Sequence, residues 1–483
     1  MAIERSRFAV LPVLTACLTL AVLLAIVSPL YGYHRDELYF RMLPLEWGYV
    51  DQPPLMPLLT QGAIAAFGDS VVALRIVSLV IAVGSLPLLA LVAREAGGSR
   101  LAQGFAAWGL AGATATLTFG HILITASLDL VVWPAALLFA MRAVLRADGR
   151  WWLAAGAVVG ASAQNKLLGA VLLVGVVAGL GAFGPWRWLR SGWLWAGAGA
   201  AALLAVPAIV YQATNGVPQL AMGAALNAHN AGEVRVLMWP FLALLVGPVL
   251  AVFWVIAVVE LFRRPTWRPI RLLAGVLVVT VGFVFAAGSQ FYYTAGILAV
   301  LAALGAVPVA DWCRTRPRRI WIPVLLALNA LGCAICSLPV LPVTLFGSVG
   351  LAAVNTATAD QVGWETYVAQ ITDAAESSGA EAIIASNYGE AGAVDRFGSD
   401  LPPVVSGHNA LWDLGGPPTE ATTVLVVGGQ ATRVGDLFAS CDTIAELDDG
   451  VGVDNEEQGE PIAVCRGPVE PWSDLWVRFR HLD

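Results

Sequence analysis

Eleven predominantly apolar stretches crowd into the first 344 residues of this chain, and they settle most of what it can fold into. They run approximately over 8–30, 71–93, 101–119, 123–141, 152–166, 168–183, 193–212, 237–262, 272–287, 291–310 and 320–342. A bilayer core about 30 Å thick takes roughly 20 apolar residues per helix. Backbone groups in lipid are satisfied only within helices or closed barrels. The expected architecture is an α-helical polytopic membrane domain, residues 1–344, with about eleven transmembrane helices. Charge is scarce to match, at 13% of residues against roughly 25% in an ordinary soluble domain. The first stretch exceeds the apolar run of about 7 to 15 residues typical of a secretory signal and shows no small-residue cleavage site, so it is expected as a retained helix.

Charge then divides the chain. Residues 1–344 hold 22 Lys plus Arg against 12 Asp plus Glu, whereas residues 345–483 hold 5 against 22. So acidic a tail is long enough to fold by itself, and its sign opposes a nucleic-acid partner. A helical pattern at 364–378, followed by strand-like segments at 382–386, 424–427 and 462–465, predicts a small α/β domain. Gly428-Gly429 after the second of these strands reads as an ordinary turn more than as an anion site. Cys441 and Cys465 are the two cysteines of the tail, either a disulfide in an oxidising compartment or two unrelated thiols. Basic residues in alternate loops number seventeen on one side and five on the other. By the positive-inside rule the amino terminus is cytoplasmic. An odd number of crossings puts the tail and the loop 31–70 outside a plasma (inner) membrane, together with a shorter outer loop at 212–236.

The loop 31–70 carries the densest polar chemistry. It reads YGYHRDELYFR over 31–41 and WGYVDQPPL over 47–55. Aromatic faces can stack on sugars, and arginine offers paired donors to phosphate oxygens; an interfacial aromatic belt with solvated charges is the plainer reading. Asp129 opens an otherwise apolar run, where a carboxylate is costly unless paired or wet. Lys166 is the only lysine of the chain and sits between two apolar stretches on the same expected side, as a snorkelling residue or a phosphate partner. Tyr292 and Tyr293 lie in GSQFYYT at 288–294, where a belt and a lipid-phosphate contact read equally well.

Together these segments resemble the GT-C membrane glycosyltransferases, and more narrowly the protein mannosyltransferase and aminoarabinose lipid A transferase type found in bacteria. The carrying features are Asp36-Glu37 after the first helix, WGYVDQPPL, Ser127-Leu128-Asp129 opening a middle helix, Lys166 ending another, and Tyr292-Tyr293. The resemblance covers most of residues 1–310, and SNYGEAGAVDRF at 386–397 resembles the carboxy-terminal domain of bacterial members. It implies that Asp36 is the catalytic carboxylate with Glu37 beside it, that Lys166 contacts a lipid phosphate, and that Asp129 is a second acidic position of the site. Arg35, Tyr39, Arg41, Asp51, Tyr292 and Tyr293 complete the expected binding set. Tyr39 stands where the aminoarabinose branch has an arginine, so Arg41 or Arg35 would supply that charge, and Gln290 replaces a basic residue before the tyrosine pair.

The implied reaction moves a sugar from a polyprenyl phosphate to an acceptor hydroxyl of a protein, glycolipid or polysaccharide, with inversion. A carboxylate would accept the hydroxyl proton, and fixed cations would stabilise the departing phosphate. No compact His and carboxylate spacing demands a metal, although a divalent cation would suit these oxygen ligands. A transporter or flippase is the rival class; charges gathered at one face and the lack of a visible inverted repeat speak against it. A membrane scaffold presenting the acidic tail is a third.

Overall fold

The computed structural model describes residues 4–482. Contacts divide the chain into two compact units. One comprises residues up to Ser28, Gln52–Leu55 and Arg75–Leu338; the other comprises Pro29–Asp51, Met56–Leu74 and the chain from Pro339 onward.

The first unit is helical. Each of the eleven apolar stretches falls on helix, but fewer qualify as membrane spans. Among the described residues five helices are long and apolar enough: Val10–Val27, Val71–Glu95, Thr125–Arg146, Phe291–Trp312 and Arg316–Ser337. The number reaches seven if two bent pairs each count as one span, Gly192–Leu204 with Val206–Thr214 at 54° and Pro218–Leu244 with Pro248–Arg263 at 92°. The expected eleven are therefore not reached on length and composition. Trp151–Ser162, Gly169–Phe183 and Leu272–Ala287 are apolar but have only 10–17 residues, and the stretch at 101–119 breaks into Arg100–Ala111 and Thr114–His121. The breaks have local causes. Pro207 and Pro248 sit in the first turn of the second helix of each bent pair, where the missing N–H costs nothing, and Gly247 between the second pair adopts φ +87°, open to glycine. The expected outer loop at 212–236 is mostly helix instead, Pro218–Leu244, started by Pro218 and propagated by Ala and Leu, strong helix formers.

Small residues let these helices approach closely, as membrane packing requires where apolar burial gives little drive. A Cβ on Gly275 would strike the backbone of Gly179, and one on Gly156 would strike that of Gly197. Charge is handled by pairing. Glu95 is 1% exposed and accepts from Arg5 Nε at 2.6 Å and from Arg146 Nε and Nη2 at 2.8 and 2.6 Å; Arg142 stands 3.6 Å away. One buried carboxylate thus ties three segments that apolar packing alone would let slide.

The second unit is built on a mixed five-stranded sheet in the order β2-β1-β3-β5-β4. Its strands are β1 Ala382–Ala385, β2 Val404–Ser406, β3 Thr423–Val427, β4 Phe438–Glu446 and β5 Pro461–Pro468. β2, β1 and β3 run parallel, and β3, β5 and β4 antiparallel. Cys441 faces Cys465 across β4 and β5, and the two form a disulfide. One face of the sheet, through Ile384, Val424, Val426 and Ala463, packs on Trp472, Trp476 and Phe479. The helix Tyr388–Phe397 crosses from β1 to β2 and receives the first-loop helix Arg35–Met42 against its glycines. A Cβ on Gly389 would meet Arg35 at 3.0 Å, and one on Gly392 would meet Leu38 at 2.8 Å. The spacing of these glycines, three apart, puts both on one helix face.

Replacing Glu95 with glutamine should cost about 1.5 to 3 kcal/mol, since it weakens the charged hydrogen bonds that the buried carboxylate takes from the half-buried Arg5 and Arg146. Thermal unfolding of the full chain in detergent would show it as a lowered midpoint. An unchanged midpoint would mean that water, and not Glu95, satisfies the arginines.

Candidate active site

A second polar cluster of the first unit centres on Lys166. The helix Trp151–Ser162 ends shortly before it, and the linker is pinned by Asn165 Nδ2 donating to the Thr125 carbonyl at 2.9 Å and by Leu55 N–H donating to the Gln164 carbonyl at 2.9 Å. The Lys166 ammonium stands 3.7 Å from Asp129 Oδ2, an ion pair beyond hydrogen-bond reach, with the two side chains 14% and 16% exposed. It also lies 4.5 Å over the Tyr293 ring and 5.5 Å over the Tyr292 ring, close enough for cation–π attraction. Within the described residues its three donors make no hydrogen bond. Lys166, Asp129, Tyr292 and Tyr293 are thus brought together.

The other expected residues belong to the second unit. His34 caps the helix Arg35–Met42: its Nδ1 accepts from the Asp36 N–H at 3.1 Å, and the Glu37 carboxylate accepts from the His34 N–H at 2.8 Å. This reciprocal cap satisfies two helix-end donors, and it engages Glu37, which is fully buried, in backbone capping. The Asp36 carboxylate accepts from the Tyr388 hydroxyl at 3.0 Å. Arg35 lies 4.9 Å over the Tyr388 ring and pairs with Glu456; nearby acidic groups hold its guanidinium pKa above the ordinary arginine value against the opposing effect of burial. Tyr39 donates to Asp51 Oδ1 at 2.9 Å and accepts from the Ala410 N–H at 3.3 Å. Arg41 gives its Nε to both oxygens of Asp69, at 3.0 and 2.9 Å, and its Nη1 to Asp395. Its charge is already matched by two carboxylates.

Tyr388, His408 and Asp360 escaped the sequence reading. Tyr388 stands in the tail segment that resembles bacterial relatives, yet its partner Asp36 is 352 positions away, and no local pattern links them. Its Nδ1 accepting from the Tyr388 N–H at 3.2 Å, His408 also stacks between Tyr388 and His481. Asp360 Oδ2 lies 4.0 Å from His34 Nε2. Among the described residues no three His, Cys, Asp or Glu side chains are grouped to hold a metal ion.

Solved structures share the fold of nearly the whole chain. The ArnT of Cupriavidus metallidurans bound to undecaprenyl phosphate matches with a TM-score of 0.62 and 14% identity, over 93% of this chain and 97% of that one. Its apo state matches at 0.60 and 13% over the same shares. The arabinofuranosyltransferase AftD from Mycobacteria matches at 0.51 and 13%, over 97% of this chain and 40% of that one. At such identities the likeness is one of fold. More particularly, residues 51–211 match the sequence profile of the dolichyl-phosphate-mannose-protein mannosyltransferases. A comparison with curated protein sequences finds no match. The profile thus covers a third of the chain, beginning beyond Asp36 and Glu37, and the likeness of fold covers nearly all of it.

Two carboxyls of the second unit titrate unusually. Burial pushes Asp51 and Asp360 from 3.8 up to about 7. The fold therefore favours their protonated forms. The stability they contribute is full below about pH 4 and is lost as pH rises through about 7. Hydrogen exchange at the β1 and β3 amides should show stronger protection at pH 5 than at pH 8 once intrinsic rates are corrected, and Asp360→Asn should flatten the difference. Protection that rises over that interval would contradict the assignment.

Proposed function

We propose that the protein is a membrane glycosyltransferase that moves a sugar from a polyprenyl phosphate to an acceptor hydroxyl. The observation that carries this reading is the Lys166 ammonium, held nearly out of water by Asp129 and two tyrosine rings with its donors unspent. Holding a charge in that state is costly, and a phosphate would use all three donors. The fold is shared with an ArnT whose structure holds undecaprenyl phosphate, which supports the same class of donor here.

In the proposed reaction the acceptor oxygen bonds to the anomeric carbon as the bond from that carbon to the phosphate oxygen breaks. The electron pair leaves with the polyprenyl phosphate, whose growing charge Lys166 stabilises. The acceptor proton passes to Asp36, and attack opposite the leaving group inverts the anomeric centre. Asp36 suits the role of base because its carboxylate is fixed by Tyr388 and its own N–H by His34. Glu37 serves as the helix cap and Arg41 as an anchor to Asp69 and Asp395. Asp129 orients Lys166, and Tyr292 and Tyr293 shield it from water; Arg35, Tyr39 and Asp51 shape the surroundings of Asp36. We place the chain in the plasma (inner) membrane with its amino terminus cytoplasmic and the transfer at the outer face, from the distribution of basic residues. The acceptor class, whether protein, glycolipid or polysaccharide, is open to the same assay that finds the donor.

The test is a panel of undecaprenyl-phosphate-linked sugars, among them mannose, glucose, arabinose and an amino sugar, offered to the full-length protein in lipid vesicles. One donor should be consumed with release of undecaprenyl phosphate. Asp36→Asn should lower that turnover by about 10² or more, the usual worth of a positioned base, with folding intact. Undiminished turnover would remove Asp36 as the base.

A further inference from the structure

The carboxy-terminal sheet domain has no stated part in this chemistry, yet one of its side chains touches the residue assigned as base. The geometry points to Tyr388 as a positioning residue for Asp36, so that the carboxy-terminal domain completes the active site by supplying the donor that orients the base. This inference rests on the reading of Asp36 given above.

Four observations converge on it. The Tyr388 hydroxyl donates to Asp36 Oδ1 at 3.0 Å. Its ring is held on several sides, by the Arg35 guanidinium at 4.9 Å, the Tyr39 ring at 4.7 Å and the His408 ring at 4.7 Å. Its backbone N–H is spent on His408 Nδ1. The turn that delivers it is locked as well: Asn387 caps the helix Tyr388–Phe397, the Glu390 carboxyl accepts from the Ser386 and Asn387 N–H groups at 2.7 and 3.2 Å, and Asn387 Nδ2 donates to Glu457. A hydroxyl so placed has little freedom to do anything but hold the carboxylate in one orientation. Burial and the neighbouring Asp36 raise the Tyr388 hydroxyl pKa well above the ordinary tyrosine value, so it remains a donor at every pH where the enzyme would work.

The consequence for catalysis has a definite sign. A hydrogen bond given to a carboxylate stabilises its charged form and lowers its pKa. Other titratable groups facing Asp36 include His34, Arg35, Asp51 and Asp360, and they stay in place when only the hydroxyl is removed. Loss of the hydroxyl therefore moves the protonation of Asp36 to higher pH.

Tyr388→Phe keeps the ring and its stacking. In the full-length protein in vesicles, turning over whichever donor the panel identifies, it should shift the acid limb of kcat/KM upward by about one pH unit, the scale of a charge-assisted hydrogen bond. It should also lower kcat more than it changes KM. 3-Fluorotyrosine at position 388 preserves both ring and hydroxyl and strengthens the donor, so it should move the limb the other way; it decides the matter even if the phenylalanine variant unfolds. Infrared difference spectra of the vesicle-bound protein, wild type against Asp36→Asn, follow the same carboxylate without any substrate. An acid limb and carboxylate midpoint unmoved by either replacement would overturn the role of Tyr388 while leaving Asp36 as base. If Asp36→Asn itself retains turnover, it is the reading of the base that fails, and the infrared midpoint still reports on the hydrogen bond.

Discussion

A lysine ammonium kept almost out of water, with one carboxylate and two aromatic faces for company, is the interaction from which the membrane unit is best understood. A charge at that depth is tolerated only where the backbone and its neighbours are arranged around it. The arrangement here is a break in the helices. The chain leaves helix after Ser162, pins the linker through Asn165 and Gln164, presents Lys166, and re-enters helix at Gly169. Both flanking helices are consequently short. Irregular backbone inside a membrane protein is admissible only where its polar groups are satisfied by protein or water; here the Gln164 carbonyl accepts from the Leu55 N–H, and the Gln164, Asn165 and Lys166 amides donate to the Ala161 and Ser162 carbonyls. The shortness of these two helices and the placement of the lysine go together.

The second unit handles charge in the same way. Arg41 is matched by Asp69 and Asp395, Arg35 by Glu456, and the Asp36 carboxylate by a tyrosine hydroxyl. Those partners come from the carboxy-terminal part of the chain, apart from Asp69. The docking of the helix Arg35–Met42 on the helix Tyr388–Phe397 brings them within reach, and that docking depends on Gly389 and Gly392 having no side chains. A motif that resembles relatives in the tail therefore has a plain structural use: it lets one helix lie close enough to another for tyrosine to meet aspartate.

Much of the helical fold was legible from hydropathy because each lipid-facing helix carries its own signal. Three of the five strands were legible for a similar reason, in the short apolar runs that became β1, β3 and β5, whereas β2 and the largely exposed β4 carry no such run. What hydropathy could not show was where helices break or bend, since Pro207, Gly247 and Pro248 are single residues within apolar runs. Nor could it show the helix at Pro218–Leu244, whose Asn, His and Arg residues look like a loop although Ala and Leu carry it as helix. The site residues divide along the same line. Asp36, Asp129 and Lys166 stood out as charges in unlikely company. Arg41 stood out too, but its engagement with Asp395 is long-range, as is the hydrogen bond of Tyr388. Interactions across hundreds of residues leave no mark in local spacing.

The central claim is that Lys166 exists to meet a lipid phosphate. Native mass spectrometry of the full-length protein with undecaprenyl phosphate, wild type against Lys166→Met, measures this directly. The methionine keeps the length and apolar stem of the side chain and removes only the charge and its donors. Binding should weaken by about tenfold or more, in keeping with the loss of charged hydrogen bonds worth roughly 1.5 to 3 kcal/mol. Equal binding by the two proteins would show that the ammonium has another purpose, and the proposed donor site would have to be abandoned.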